Sequence, residues 1–577
     1  MARAGRILSV FLLLLGPALA LHHGRSDSAT ADEPHHLLAG YQMVRLGDYA
    51  LNLEHPPLAK DPAGLALLVS SPRPIGESWK RLPYLGNLFE AFLYGNRVPS
   101  SRILLDARLP YPLFLLALEL VVYLLVRRFA RGDLALPAAL VVGLEPNFVA
   151  HAAYVHSDVP AAFAFAASVA AWLAFLRSGR LATAAAAGAV LGLALATKFS
   201  AVLLVPMLAV TTLVWLLREA RGPAASPTPG RAAAGFALAL GIAAAAVPAL
   251  YAVHMRGMKP ESREEVVRHH LAVRGAPPGL LDRIDRLARV SPPLAHYAAG
   301  LAGISLQSER GQGVNFLEGK LSRSGWWSYF PKAFLYKTPL ALVLLVAAGA
   351  VLSAGAFRSS AVPVALVLGS VLFVLAALPS AYNIGVRHLL PVVPLLVVAA
   401  AAAFAIRLPR AAPPLLWTVV IFVFGATLRS HPQELGAFSS VAGGAAAGRD
   451  LLSDSNVDWG QDLWRLREWA RSRGERLSVA YFGGATVRYE MPEARDLRAE
   501  AADAPIPEGL FAVSEFLLRA GPTLYLLSAG DPEAAVYTAR LLAAVRDRGT
   551  LVHRAGVSLP VFRLGPERRP LGAVREP

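Results

Sequence analysis

Two polar stretches that follow the first apolar segment carry several side chains able to do chemistry. The first stretch begins Asp32-Glu33-Pro34-His35-His36, and the second reads Glu54-His55-Pro56-Pro57-Leu58-Ala59-Lys60. Carboxylates, imidazoles and a lysine are unusual so close to a membrane, because ionisable groups at membrane depth are costly and tend to mark a site. The pattern predicts the first half of an active site, placed just outside the bilayer.

Asp158, which opens a later apolar segment, is the most informative partner for Asp32. One carboxylate can act as a general base toward a hydroxyl group, and two together can hold a divalent cation through oxygen ligands. A divalent cation is therefore a candidate cofactor, with Asp32 and Asp158 as candidate ligands. A plain helix-capping role is an equal alternative for Asp158, because Ser157-Asp158-Val159-Pro160 is also typical of a helix start.

Four cationic or imidazole side chains near the ends of apolar segments could bind phosphate: Lys60, Lys198, Arg387 and His388. Arginine binds phosphate through a bidentate fork and lysine as a point charge. Snorkelling to the lipid headgroups is the alternative, and it is a strong one for Lys198. Arg387 and His388 fall on the predicted outer side, where the charge rule disfavours positive residues, so a site is the better interpretation there.

Histidines recur on the same side of the chain, at positions 35, 36, 55, 151 and 156. They could ligate zinc, but no pair has the i, i+4 spacing of a zinc-binding helix. The sequence therefore favours orienting or packing roles for these imidazoles over metal binding.

Composition identifies a polytopic α-helical membrane protein. The 577 residues are 55% hydrophobic and only 17% charged, and several apolar runs approach the ~20 residues of a membrane-spanning helix. The net charge of +16 is explained by arginines in short loops, so we expect no nucleic-acid partner. Cysteine is absent, which excludes disulfide and thiol chemistry.

About eleven spans are predicted, at residues 7–21, 109–126, 134–149, 159–176, 181–196, 199–217, 232–253, 340–356, 362–378, 389–406 and 414–428. The arginines of the short loops all fall on one side of these spans, which is then cytoplasmic. Residues 1–21 form either a retained first helix, which we favour, or a cleaved signal peptide.

The predicted organisation is a membrane domain, residues 1–428, followed by a soluble α/β domain, residues 429–577. The membrane domain carries two large outer segments, residues 22–106 and 254–336, and the candidate site and the soluble domain both lie on the outer, extracytoplasmic side. In the soluble domain the patterns predict helices over 462–473 and 534–545 and strands over 477–482, 523–527 and 557–564.

Six motifs occur in an order that resembles a known family. They are Asp32-Glu33 with Glu54-His55-Pro56-Pro57-Leu58-Ala59-Lys60; His151 to Asp158; Ala196-Thr197-Lys198; Gly325-Trp326-Trp327 with Tyr329-Phe330-Pro331 and Lys337-Thr338-Pro339; Gly385-Val386-Arg387-His388-Leu389-Leu390-Pro391; and Asp454-Ser455-Asn456-Val457-Asp458-Trp459-Gly460-Gln461-Asp462. Together they resemble the C-type membrane glycosyltransferases (GT-C), in the branch of the protein O-mannosyltransferases and lipid A aminoarabinose transferases. The last motif is similar to one in bacterial members with a soluble tail.

The resemblance implies transfer of a sugar, with inversion, from a polyprenyl-phosphate donor at the outer face of the cytoplasmic membrane. Asp32 would be the general base, assisted by Glu33 and Asp158, and the donor phosphate would be bound by Lys60, Lys198, Arg387 and His388. Substrate binding would fall to Glu54, His55, Trp326 and Tyr329. The acceptor would be the hydroxyl of a protein, a lipid or a glycan, and membrane lipids would surround the spans.

Two other function classes are compatible with an apolar chain of this kind. A transporter or flippase of lipid-linked glycans would place charges near the bilayer midplane and show inverted repeats, whereas here the charges gather on one side and no repeat is visible. A membrane scaffold with an outer binding domain would use residues 454–462 as its functional surface.

Overall fold

Helices make up most of the part of the chain that the structure, a computed structural model, describes: residues 2–75, 85–219, 227–311, 314–498, 500–524 and 531–565. The first helix is followed by four helices that occupy the first outer segment. They are α1 (Ala2–Arg25), α2 (Glu33–Leu46), α3 (Asp61–Ser70), α4 (Leu85–Tyr94) and α5 (Ser100–Arg108). Much of the first outer segment is thus helical.

A group of apolar helices follows. Its members are α6 (Tyr111–Phe129), α7 (Gly132–Gly143), α8 (Pro146–Ala152), α9 (Asp158–Ser178), α10 (Leu181–Leu195), α11 (Leu204–Glu219) and α12 (Pro229–His254). The second outer segment contains α13 (Pro260–Ala272), α14 (Pro278–Val290), α15 (Pro292–Arg310), the hairpin of β1 (Asn315–Leu317) and β2 (Lys320–Ser322), and α16 (Tyr329–Lys337). The remaining apolar helices are α17 (Leu340–Ala356), α18 (Val362–Ala377), α19 (Val393–Arg407) and α20 (Ala412–Ser430).

Each of the eleven apolar segments identified in the sequence coincides with helix. By length and hydropathy, six helices of the described chain can cross a membrane, or seven if α7 and α8, bent by 62° at their junction, form one span. The other four segments coincide with α10, α17, α18 and α19, which are shorter apolar helices of 15 to 17 residues. The structure is therefore that of a polytopic α-helical membrane protein.

Small residues let the apolar helices approach closely. A Cβ atom added at Gly188 of α10 would lie 2.6 Å from the carbonyl oxygen of Ala239 in α12. A Cβ added at Gly349 of α17 would likewise meet the Ala400 side chain of α19 at 2.4 Å. Close packing of this kind replaces the hydrophobic effect as the force that holds helices together in lipid.

The C-terminal region is α/β. Its elements are α21 (Gly444–Gly448), α22 (Leu463–Arg471), β3 (Leu477–Ala480), α23 (Val487–Glu490), β4 (Arg495–Asp496), β5 (Gly509–Val513), α24 (Glu515–Leu524), α25 (Pro532–Arg548), β6 (Gly549–Ala555) and β7 (Leu559–Leu564). The strands form one sheet in the order β4-β3-β5-β7-β6, in which β3 is parallel to both β4 and β5 and β7 is antiparallel to both β5 and β6.

Most of the predicted C-terminal elements are present, with one correction. The helices predicted over 462–473 and 534–545 are α22 and α25, and the strands predicted over 477–482 and 557–564 contain β3 and β7. The strand predicted over 523–527 is wrong at its start, because Thr523 and Leu524 end helix α24, while residues 525–527 lie outside the described part of the chain.

The C-terminal region packs directly on the first outer loop, the segment between α1 and α2. The Ser28 backbone N–H donates to the Gln461 carbonyl at 2.9 Å, and the Ala31 N–H donates to the Trp459 carbonyl at 2.8 Å. Because Asp32 follows Ala31, the C-terminal region fixes the backbone that presents the first candidate site residue.

Candidate functional site

A cavity of about 490 Å³ gathers side chains from segments that are far apart in the sequence. Every segment that lines it belongs to the predicted outer side of the molecule. Its ionisable lining residues are Asp32, Glu54, Asp454, Lys198, Arg387, His35, His36, His55, His156 and His388. The cavity therefore joins most of the predicted site residues into one place.

Asp32 occupies the residue that precedes helix α2, and its side chain enters the cavity. Its Oδ2 lies 3.2 Å from Arg387 Nη2 and 3.3 Å from His156 Nε2. Burial opposes ionisation, but the contact with His156 and the charge of Arg387 outweigh it and hold the pKa of Asp32 well below its usual range. Its side chain stays 38% exposed, so a charged carboxylate faces the cavity and can be reached from it.

Asp158 begins α9 and is fully buried among positive or ionisable groups. Lys198 Nζ donates to its Oδ1 at 2.6 Å, and its Oδ2 lies 2.7 Å from His156 Nδ1 and 3.6 Å from Arg387 Nη1. The capping alternative is not realised by the neighbouring serine, since Ser157 makes no side-chain cap hydrogen bond. Asp158 is instead the centre of an ion-pair cluster that holds the cavity's cations.

Arg387 lies on the short 3₁₀ turn Val386–Leu389 and links the two carboxylates. Its Nη1 donates to His156 Nε2 at 2.7 Å, and its guanidinium carbon lies 4.4 Å from the centroid of the Trp459 ring. The charges of Asp158 and Asp32 outweigh its burial and raise its pKa above the usual value. Arg387 is thus a permanently charged cation with its fork held in the cavity wall.

The segment from Asp454 to Trp459 forms the wall behind Arg387. Ser455 Oγ donates to the Ile384 carbonyl at 2.8 Å, and Asn456 Oδ1 accepts from the Val386 backbone N–H at 3.0 Å. These two hydrogen bonds fix the backbone of the turn that carries Arg387. Asp454 also lines the cavity, as does Trp459.

Lys198 and His388, two of the predicted phosphate-binding residues, both line the cavity. His388 packs beside Phe330 and Tyr382, with ring centroids 6.0 Å and 5.8 Å away. Burial, together with the charges of Lys198 and Arg387, holds the pKa of His388 well below its usual value, so its imidazole is neutral at pH 7.

Lys60 lies beneath the cavity rather than on its lining. Its side chain is fully buried, and Nζ donates at 2.8 Å to the carbonyls of both Asn52 and His55. Burial lowers the pKa of Lys60 to about 7. The structure therefore places Lys60 under the loop that carries Glu54 and His55, apart from the other three predicted phosphate-binding residues.

Glu33 also departs from its predicted surroundings. Its carboxylate accepts from Arg108 Nε at 2.8 Å and from the backbone N–H of Thr30 at 2.9 Å and Val155 at 3.0 Å, and the residue is fully buried. It does not line the cavity described here. Its side chain ties α2 to α5 and to the turn before α9.

The four predicted substrate-binding residues divide into two pairs. Glu54 and His55 line the cavity, with Glu54 paired to Arg274 and His55 Nδ1 3.4 Å from Ser157 Oγ. Trp326 and Tyr329 do not line it: the Trp326 backbone N–H donates to Asn383 Oδ1, and the Tyr329 hydroxyl accepts from Asn456 Nδ2 at 3.0 Å.

Three residues of the site were not among the predicted catalytic, phosphate-binding or substrate-binding residues: His156, Asp454 and Trp459. His156 bridges Asp32, Asp158 and Arg387, while Asp454 and Trp459 come from the last motif of the family resemblance. The position of His156 two residues before Asp158, and the charged motif just after the last span, were the available signals.

The two predicted metal ligands, Asp32 and Asp158, share the same neighbours. His156 and Arg387 each contact both carboxylates. In the described chain, His36, His55 and His156 form a cluster whose ligand atoms lie within 4.8 Å of one another. These imidazoles, with Asp32 beside them, are the groups that could hold a cation.

Comparison with known proteins gives one family match. The sequence model of the family described as dolichyl-phosphate-mannose-protein mannosyltransferase matches residues 83–257. No curated protein sequence matches the chain significantly.

Three solved structures illustrate the structural likeness. The oligosaccharyltransferase AglB from Archaeoglobus fulgidus has a TM-score of 0.48 at 13% identity, covering 98% of this chain and 75% of its own. The protein O-mannosyltransferase Pmt1-Pmt2 complex from S. cerevisiae has a TM-score of 0.35 at 21% identity, covering 44% of this chain and 34% of its own. ArnT from Cupriavidus metallidurans has a TM-score of 0.32 at 14% identity, covering 98% of this chain and 100% of its own.

The family match covers the segment that contains His151, Asp158 and Lys198. Over residues 83–257, therefore, the chain resembles the dolichyl-phosphate-mannose-protein mannosyltransferases in sequence, which confirms the resemblance to the protein O-mannosyltransferase branch that the motifs predicted.

Proposed function

We propose that the protein is a membrane glycosyltransferase that moves a sugar from a polyprenyl-phosphate donor to an acceptor hydroxyl, with inversion at the sugar. The proposal rests above all on one observation: Asp32, Lys198 and Arg387, each from a different part of the chain, line a single cavity. The family match to dolichyl-phosphate-mannose-protein mannosyltransferases supports the donor class.

The donor phosphate would bind at Arg387, Lys198 and His388. The Arg387 fork suits two phosphate oxygens, and its stacking on Trp459 keeps the guanidinium in place without reorganisation. Lys198 adds a second positive charge 2.6 Å from Asp158, and neutral His388 can donate one N–H. These groups stabilise the negative charge that develops on the leaving phosphate.

Asp32 would be the general base. The acceptor oxygen attacks the anomeric carbon, its proton passes to Asp32, and the bond between that carbon and the phosphate oxygen breaks. The polyprenyl phosphate then leaves with the bonding electron pair. In the free protein Arg387 lowers the basicity of Asp32, so a donor phosphate that shares the charge of Arg387 would make Asp32 a better base.

The contacts of Glu33, Lys60 and Asp158 give them positioning roles in this mechanism. Glu33 anchors the start of α2, which carries Asp32, through Arg108. Lys60 fixes the backbone of the Asn52–His55 loop, and Asp158 orients Lys198 and His156. Trp326 and Tyr329 support the hairpin and the Asp454 segment rather than contact substrate.

The site belongs on the outer face of the cytoplasmic membrane in this proposal. All of its segments fall on the side opposite the arginine-rich loops, which positive-inside sorting keeps cytoplasmic. Residues 429–577 would then be extracytoplasmic, in contact with the first outer loop. The scaffold alternative is disfavoured because residues 455–462 are buried and leave little surface for a partner.

Donor turnover tests the proposal directly. Purified protein in liposomes is given polyprenyl-phosphate sugars, including the mannose form, and release of polyprenyl phosphate is measured with a panel of hydroxyl acceptors. Asp32→Asn should lower the rate about 10²–10⁴-fold, the usual share of a general base, while retaining donor binding. Turnover by the variant at the wild-type rate would exclude Asp32 as the base, and no turnover of any donor by the wild type would contradict the function.

A further inference from the structure

We propose that His36, His55 and His156 form a binding site for a transition-metal ion, with Zn²⁺ as the best fit, on the wall of the cavity beside Asp32. This inference concerns metal binding alone and is independent of which sugar or acceptor the protein uses. It reverses the expectation from sequence spacing, which favoured packing roles for these imidazoles.

Three separate segments bring the imidazoles together. His36 lies in α2, His55 in the loop before α3, and His156 in the turn before α9. The ring of His36 lies 4.6 Å from that of His55 and 4.7 Å from that of His156, centroid to centroid, and all three line the cavity. A cluster assembled by tertiary structure escapes any rule that is based on sequence spacing.

His36 supplies an unused ligand atom. The residue is 1% exposed, and its Nδ1 has no hydrogen-bond partner among the residues that the structure describes. An unpaired buried nitrogen costs free energy, because it has lost water without gaining another partner. A metal ion bound at this nitrogen would remove that cost.

His156 has the outer-shell contact that metal-bound histidines usually have. Its Nδ1 lies 2.7 Å from Asp158 Oδ2, which favours the proton on Nδ1 and leaves the lone pair on Nε2, where it now accepts a hydrogen bond from Arg387. Asp158 is itself fixed by Lys198. The ring of His156 is therefore oriented before any ion arrives.

His55 is held from its backbone. Its carbonyl accepts hydrogen bonds from the Lys60 Nζ and the Tyr49 hydroxyl, both at 2.8 Å. Its ring lies 5.8 Å from that of His156, centroid to centroid. The ligand atoms of the three histidines lie within 4.8 Å of one another, so the side chains must move closer to reach the ~2.0–2.1 Å of a Zn–N bond.

The ligand set favours Zn²⁺ over harder or softer ions. Three imidazoles suit zinc, whereas magnesium and calcium prefer oxygen ligands, and the chain has no cysteine to offer a thiolate. Three protein ligands and an open cavity leave one coordination position for a further ligand, as in zinc sites that act as Lewis acids. Asp32 Oδ2 lies 3.3 Å from His156 Nε2, so Asp32 can accept a hydrogen bond from a ligand at that fourth position.

Binding has an identifiable cost. Arg387 Nη1 donates to His156 Nε2 at 2.7 Å, and this hydrogen bond must break before the lone pair can bind an ion. Arg387 would keep its contacts with Asp32 and Trp459. The positive charges of Lys198 and Arg387 also oppose a divalent ion, and the carboxylates of Asp32 and Glu54 around the same cavity offset them.

Cobalt titration of the full-length protein tests the site without any sugar substrate. The protein is purified without a polyhistidine tag, stripped with chelator and titrated with Co²⁺, whose visible d–d absorption reports ligand geometry, and then with Zn²⁺ by calorimetry. The wild type should bind one equivalent of Co²⁺ with a visible band that Zn²⁺ abolishes. His36→Asn and His55→Asn should each weaken the affinity by at least about tenfold.

His35→Asn is the matched control, because His35 is adjacent in sequence and lines the same cavity but packs against Phe89 instead of the cluster. It should bind Co²⁺ as the wild type does, and metal-free thermal unfolding of each variant checks that it folds. Absence of stoichiometric binding in the wild type would overturn the proposal, as would a folded His36→Asn variant with unchanged affinity. Either result would leave the proposed sugar transfer standing.

Discussion

Asp32 and Glu33 are neighbours in sequence, but their side chains lie in different surroundings. Asp32 enters the cavity, whereas Glu33 is buried in an ion pair whose Arg108 partner donates three more hydrogen bonds, to the carbonyls of Gly24, Asp27 and Ser28. A buried ion pair of this kind adds little net stability over an apolar pair, but removing one partner strands the other charge. Glu33 and Arg108 therefore fix the position of Asp32 more than they stabilise the fold.

Arg108→Met should accordingly destabilise the protein by about 3–5 kcal/mol, because Glu33 would remain buried without its cation. Arg102→Met is the matched control from the same helix, since Arg102 is 63% exposed and its pair with Asp106 is worth about 0–1 kcal/mol. The measurement is denaturant unfolding of both variants in the same detergent. Equal losses in the two variants would contradict the account.

Asp454 gives a pH-dependent prediction. Burial raises its pKa from 3.8 to about 7, although the charge of Arg387 works in the other direction. Between these two values the folded protein holds a proton that the unfolded chain has released, so this residue makes stability fall as pH rises from about 4 to 7. Asparagine cannot ionise, and it tolerates the left-handed backbone found here, where φ is +55°.

Asp454→Asn should therefore match the wild type in thermal stability near pH 4 and exceed it above pH 7. Thermal unfolding across that range, with both proteins in one buffer series, measures the difference. Parallel curves would mean that Asp454 does not hold its proton in the folded protein.

The sequence predicted which residues belong near the cavity better than it predicted which partners their side chains contact. Asp32, Lys198, Arg387 and His388 were predicted as site residues, and all four line the cavity. Lys60 and Glu33 were given site roles because residue type alone cannot show which way a side chain points. Their partners, the carbonyls around Lys60 and the Arg108 fork, are contacts that only the folded chain creates.

At the scale of elements, the segment that follows α20 contributes residues to the cavity wall. It carries Trp459 against Arg387 and joins Ser455 and Asn456 to the turn that holds this arginine. Stacking on an aromatic ring is worth about 2 kcal/mol where the cation is desolvated. The C-terminal region thus helps to position the proposed phosphate-binding cation.

Trp459→Leu should weaken binding of undecaprenyl phosphate roughly 10- to 30-fold, the equivalent of about 1.4–2 kcal/mol. Trp469→Leu is the control, because Trp469 stacks on His553 in the C-terminal region and does not line the cavity. Affinity is measured by competition with a fluorescent polyprenyl phosphate in detergent. Wild-type affinity in a folded Trp459→Leu protein would remove this segment from the site.

Strands were harder to predict than helices for a physical reason. A short apolar run such as 523–527 has the composition of a strand, but periodicity cannot distinguish it from a buried helix end. Here Thr523 and Leu524 complete α24, whose Phe516 and Leu517 face the core. Strands β5 and β6 were missed because neither run alternates clearly between apolar and polar residues.

At the scale of the whole molecule, the main prediction is that the candidate site and the C-terminal region lie on the same, outer side of the apolar helices. The length of the apolar runs predicted eleven helical segments, and each of these overlaps a helix, because a chain in lipid must satisfy its backbone groups within each helix. The helices α2, α3 and α5 of the first outer segment were not predicted. The sequence therefore predicted the apolar helices better than the helices of the first outer segment.

Single cysteines can map this sidedness, since the chain has none of its own. Exposed serines are available on both sides: Ser324 and Ser472 on the predicted outer side, and Ser178 and Ser359 on the inner side. An impermeant maleimide added to intact cells should label Ser324→Cys and Ser472→Cys, and label the other two only after permeabilisation. Protection of Ser472→Cys in intact cells would place the C-terminal region inside and remove it from an outer site.

The most direct test of the central claim is a cryo-electron microscopy structure of the full chain with undecaprenyl phosphate. We predict density for the phosphate inside the cavity, within hydrogen-bonding distance of Arg387 and Lys198 and beside Asp32. A phosphate bound away from this cavity, with Arg387 still paired only to protein groups, would contradict the assignment of the donor site.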